Sequence, residues 1–190
     1  MPKRLPAFPS SVENAIEIIL LEPGDPAVLA DMDMSHSPNL REDQWLGYNL
    51  QTGKYIELVS VHQGVGRPLA MLGDGDAAPS MYPVSIGLTT ITCVKYVDTA
   101  SVKLFEYCLR AQPLGKGKNQ PTRMYILRQS EDGATHLITL ALYDAIVSQV
   151  QVQPQANNQP MEQFELNFTE IAWTSSMQTP ALDVSTERDH

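Results

Sequence analysis

One segment of this 190-residue chain has the pattern of a stable helix, DTASVKLFEYCLRAQP (98–113), and its isolation restricts the fold more than any other feature. Asp98 or Thr99 can accept hydrogen bonds from the free amides of the first turn. With Asp98 as the cap, Val97 and Val102 hold the positions of a hydrophobic staple. Leu104, Phe105, Cys108 and Ala111 form an apolar stripe at helical spacing, and Pro113 is expected to stop the helix. The other regular segments are rich in β-branched residues or alternate with period two. AIEIILLE (15–22), YIELVSVHQ (55–63), VSIGLTTITCVKYV (84–97), RMYILRQ (123–129), THLITLALYDAIVSQVQVQ (135–153) and FELNFTEIAWT (164–174) read as strands, so the fold class is mainly β. Asp132-Gly133 is a hairpin signal between RMYILRQ and THLITLAL.

The last of these strands breaks its own pattern. Phe164, Leu166 and Phe168 alternate with Glu165, Asn167 and Thr169, as in a half-buried strand. Ile171 and Trp173 then fall in the opposite phase, on the face that Glu165 and Asn167 occupy. A β-bulge near Thr169-Glu170, or a strand covered on both faces for part of its length, would account for the slip.

The chain is long enough for one domain with its own core, and 43% of it is apolar. Residues 1–14 are expected to be a proline-rich flexible arm, 15–176 a single domain and 177–190 a frayed tail. Two long loops interrupt the domain, 23–54 and 64–83, the first with room for a turn of helix. The second is too apolar for a solvated loop, since it carries Val65, Leu69, Met71, Leu72, Met81 and Tyr82. A net charge of −9 and no basic stripe argue against a nucleic-acid partner. No stretch approaches the roughly 18 apolar residues of a membrane helix, and MPKRLPAFPSS has no apolar segment of a signal peptide behind its basic pair. Synthesis and folding in the cytosol are the expectation.

Motifs that carry chemistry are missing. His36, His62, His136 and His190 share no ligand spacing with one another or with Cys93 and Cys108, which argues against a metal. GDGD (73–76) lacks the further ligands of a calcium loop and reads as a turn. LGKGK (114–118) resembles half of a phosphate loop, but Asn119 stands where Ser or Thr is required. No nucleophile elbow is present, so no catalytic residue and no cofactor is expected. Trp45 and Trp173 read as core or interface anchors.

GKYIELVSVHQGVG, then ITCVKYVDTASVKLFEYCLRA, then MEQFELNFTEIAWT together resemble the haemolysin-coregulated protein (Hcp) family, the inner-tube proteins of bacterial type VI secretion. Lys95, Tyr96, Asp98, Ser101, Leu104 and Cys108 stand in the family's strand-to-helix pattern, and Leu166, Asn167, Phe168, Ile171 and Thr174 supply a second anchor. The resemblance covers about residues 55–176. It implies a small β-barrel of two packed antiparallel sheets with one α-helix, about 98–112, at its side. It further implies hexameric rings that stack into a tube, a VgrG-type spike at the tip, and contractile sheath and baseplate partners. Effectors would travel in the lumen, and export from the bacterial cytoplasm would need no cleavable signal peptide. Under this resemblance Val65, Leu69, Met71, Leu72, Met81, Tyr82, Ile171 and Trp173 are the candidate subunit-interface residues. The sequence departs from the family in the long 23–54 segment and in Val102, where a proline is common. An effector-binding or ligand-binding adaptor barrel, or a tube protein of a related phage-tail-like contractile system, are the alternatives.

Overall fold

The computed structural model describes residues 16–30, 55–66, 69–72, 80–83, 87–88, 90–129, 135–154 and 158–178. The expected arm, most of the 23–54 segment with His36 and Trp45, GDGD, and the tail beyond residue 178 lie outside the described residues.

Two antiparallel sheets form the body. The first is five-stranded. It runs in the order β13 (Glu170–Gln178), β10 (Thr135–Tyr143), β9 (Thr122–Gln129), β1 (Ile16–Glu22) and β2 (Ile56–Leu58). The second runs β11 (Ile146–Gln153), β12 (Met161–Asn167), β8 (Ile91–Tyr96) and β3 (Ser60–His62). Two short pairs complete the β structure, β4 (Val65–Gly66) with β7 (Gly87–Leu88), and β5 (Leu69–Leu72) with β6 (Ser80–Pro83). Part of the expected 64–83 loop is therefore a hairpin, in which strand pairing satisfies its backbone groups. Among the described residues the ladder does not close into a barrel; the sheets pack face to face around the core.

β1 reads as a continuous apolar run because both of its faces are covered. Ile19 and Leu21 join the main core with Leu58, Met124, Leu140 and Phe164, while Ile18 and Leu20 join a second cluster with Tyr55 and Leu127. Each fully buried Leu or Phe contributes about 1.5–3 kcal/mol relative to an exposed position.

Three sequence runs that alternate like single strands are in fact pairs of strands belonging to different sheets. YIELVSVHQ leaves the first sheet at Val59, where its amide bonds to the Val94 carbonyl, and continues as β3 in the second. THLITLALYDAIVSQVQVQ crosses between β10 and β11 at Asp144-Ala145, and FELNFTEIAWT crosses between β12 and β13 at Phe168-Thr169. The phase slip is therefore neither a bulge nor a doubly covered strand. It is a corner, which re-aims the chain so that Phe164 and Leu166 on one sheet and Ile171 on the other all meet the same core.

The last two corners are tied together. Thr169 donates its amide and its hydroxyl to the Tyr143 carbonyl, and the hydroxyl also lies 3.2 Å from Asp144 Oδ2. Asp144 has φ 51°, a left-handed conformation that Asp tolerates, and its Oδ1 accepts from the Gly117 amide at 2.8 Å. LGKGK thus serves as a clasp, with Lys118 paired to Glu170 at 3.2 Å and over the Tyr143 ring. Asp144→Ala is expected to lose about 2 kcal/mol of stability and Asp144→Gly about half of that. Urea unfolding of the two variants tests this; equal losses would show that the backbone conformation contributes nothing.

The helix, α1, spans Thr99–Leu109 and is shorter than expected. Asp98 caps it as foreseen, but the partner is a capping box with Ser101 rather than a buried staple, because Val102 stays 72% exposed. It ends before Pro113, since Ala111 has φ 47° and cannot continue a right-handed turn. The inward face is Ala100, Ser101, Leu104 and Tyr107, with Cys108 packed beside it; Phe105 and Ala111 do not belong to it. Cys93 is fully buried, and burial pushes its thiol far above the usual range, which leaves it unreactive. A 3-10 turn at Pro26–Leu29, capped by Asp25, opens the 23–54 segment and buries Val28.

Candidate assembly site

The strand-to-helix pattern holds together around one ammonium group. Lys95 is fully buried, with Nζ 2.8 Å from the Tyr96 carbonyl, 2.7 Å from Asp98 Oδ1, 3.1 Å from Ser101 Oγ and 2.9 Å from Glu162 Oε1. Ser101 Oγ donates to Glu162 Oε1 at 2.9 Å and accepts from the Asp98 amide at 3.0 Å. Asp98 Oδ1 also accepts from the Ala100 amide, so one carboxylate caps the helix and holds the lysine. The cluster joins β8, α1 and β12 at one point. Sequence reasoning found Lys95, Asp98 and Ser101 but missed Glu162, although its phase with Phe164 and Leu166 marks an acid on an inward-facing position. Such a group is retained only when paired. With Lys95 and Glu162 buried and Asp98 at the helix cap, the cluster positions the helix against both strands.

The outer side of the helix carries an apolar stripe. Val102, Phe105 and Leu109 lie at helical spacing on the outer side of α1, each more than half exposed, with Lys103, Glu106 and Arg110 paired beside them. This stripe went unforeseen because Phe105 reads as a core residue when helix phase is set from Leu104 and Cys108 alone. Among the described residues, Val59, Val152 and Trp173 are the other large aliphatic or tryptophan side chains left exposed on strands or corners.

Of the expected interface residues, Ile171 is half-buried and packs against the main core, whereas Trp173 is 56% exposed two positions later on the same face. Val65 is placed on β4, Leu69, Met71 and Leu72 on β5, and Met81 and Tyr82 on β6; their side chains lie outside the described residues. Met71 pairs with Met81, and Tyr82 with Ala70. The structure thus separates Trp173 from the hairpin set by strand and by sheet. Among the described residues no group of three or more His, Cys, Asp or Glu side chains could hold a metal, and no helix is long and apolar enough to cross a membrane.

Among the described residues the chain is a β protein of two packed antiparallel sheets with one α-helix, capped by Asp98. The model of the family "Type VI secretion system effector, Hcp" matches residues 48–174, and the chain belongs to this family. Solved structures agree in fold. An Hcp protein crystal structure is similar with a TM-score of 0.55 and 14% identity over 86% of this chain and 98% of that one. A type six secretion system protein is similar at 0.52 and 13% identity, over 83% of each chain. The sheath/tube terminator of an extracellular contractile injection system, PVC, is similar at 0.51 and 15% identity, over 91% of this chain and 99% of that one. No curated protein sequence matches.

Proposed function

We propose that the protein is a structural tube subunit of a type VI secretion system, with no catalytic step. Its work is geometric: copies close into hexameric rings, and the rings stack into an inner tube that carries effectors in its lumen. The tube is exported from the bacterial cytoplasm together with a VgrG-type spike, after contact with sheath and baseplate components. Family membership supports this. The structural observation that carries it is a long sheet-edge strand bearing a half-exposed tryptophan, beside a core of buried residues drawn from both sheets. Large uncovered apolar groups at such an edge fit a contact surface.

Electron microscopy of the purified chain is the test. Rings are expected, and they should become more numerous as ionic strength rises through about 0.15 M, because chains of charge −9 repel one another. Monomers alone at every concentration and salt would overturn the proposal. The match to the PVC terminator favours a second reading, a tube protein of a related phage-tail-like injection system. Co-purification with a VgrG-type spike separates the two.

A further inference from the structure

β13 is an edge strand without protection. All nine of its residues pair with β10, and among the described residues no strand lies on its other side. Edges of this length are ordinarily blunted by Lys, Pro or a bulge. Ile171–Gln178 contains no Lys, no Pro and no charge of either sign. In register, Trp173 stands opposite Leu140, which stands opposite Met124, which stands opposite Leu21. These four share one inward-facing row. Leu21, Met124 and Leu140 are buried, yet Trp173 is not. Among the described residues, no strand covers this inward-pointing side chain.

The opposite edge of the same sheet has the complementary shape. β2 pairs with β1 only from Ile19 to Leu21 before it leaves for the second sheet at Val59. Its departure opens a cleft of about 270 Å³ lined by Glu17, Ile19, Val59, Ser60 and Val61. That is below the roughly 300–1,000 Å³ of small-molecule sites and suits one large side chain.

We propose that Trp173 of one copy seats in the Glu17–Val59 cleft of the next. This contact rests on the tube-subunit proposal and specifies how its ring closes. Because the knob and the cleft lie at opposite edges of one sheet, the contact is head-to-tail, the type that generates rings rather than two-fold dimers. Charge agrees. Between chains of −9 an acid must not face an acid, and uncharged Ile171–Gln178 meets a cleft whose one charged lining residue is Glu17. The indole N–H, a donor only, finds acceptors in Glu17 and Ser60.

Disulfide trapping in the full chain tests the contact. The chain carrying both Trp173→Cys and Val59→Cys should form, on oxidation, a covalent ladder that ends at the closed ring, whereas an equimolar mixture of the two single variants should stop at dimers. Trp173→Ser should raise the concentration needed for rings at least about tenfold while the thermal midpoint of the monomer stays unchanged. Wild-type rings without the 173-to-59 cross-link, or with Trp173→Ser assembling normally, would overturn the contact and leave the tube proposal standing. Dimers linked only through position 173 would assign a two-fold contact and overturn it as well. A wild-type chain that never assembles would overturn both.

Discussion

Replacing Lys95 by methionine is expected to lower the unfolding free energy by about 3–5 kcal/mol, because Glu162 is then left as a buried carboxylate without its cation. Glu162 is 1% exposed, and its Oε2 has no hydrogen-bond partner, so Ser101 alone would remain to stabilise the charge. Asp98 loses less, since it is partly exposed and still caps the helix. Exposed pairs elsewhere, such as Arg110 with Glu106, contribute at most about 1 kcal/mol, which is why the buried pair dominates. Glu162→Leu alone should cost a similar amount by stranding the ammonium. The double variant, Lys95→Met with Glu162→Leu, should recover most of the loss, because two apolar groups need no partner. Denaturant unfolding of the four proteins at a concentration that keeps them monomeric measures the cycle, and the single variants should melt about 10 °C lower. Single losses below about 1 kcal/mol would mean that the pair is not coupled.

Gly24→Ala and Gly115→Ala should each cost about 1–3 kcal/mol, by overpacking rather than by any change in backbone preference. A Cβ at either position would overlap the same backbone atom, the Gln120 carbonyl oxygen. A backbone group cannot swing aside as a side-chain end would. The junction is held by the Asp25 amide on the Leu114 carbonyl and by bridging of Lys116 with Gln120, which leaves the carbonyl little freedom. Because one carbonyl is shared, the double variant should lose less than the sum: once the 120 segment has moved for one methyl group, the second meets more room. Strict additivity in urea unfolding would refute the shared-clash account.

Much of the fold was legible in the chain itself. Alternation located the strands, the Asp98 cap located the helix, and Asp132-Gly133 separates two strands that do pair, β9 and β10. The charged motif was legible in part, since Lys95, Asp98 and Ser101 lie within seven residues, while Glu162 is 61 positions beyond Ser101. The candidate contact surface was half visible. Trp173 stood out as an anchor, but the helix stripe and the β1 cleft did not, because exposure depends on what fails to cover a residue.

The apolar pattern by itself determined which segments are strands and which is the helix, and so determined a mainly β fold class. Only the tertiary structure decided which sheet each segment joins. Period two reports the near environment of a side chain but not the identity of the surface that provides it. YIELVSVHQ, THLITLALYDAIVSQVQVQ and FELNFTEIAWT each cross from one sheet to the other around a common core, and a strand that turns such a corner must reset its phase to keep its apolar side inward. At Trp173 that same reset aims a tryptophan inward on the last strand of the sheet, where among the described residues no further strand covers it.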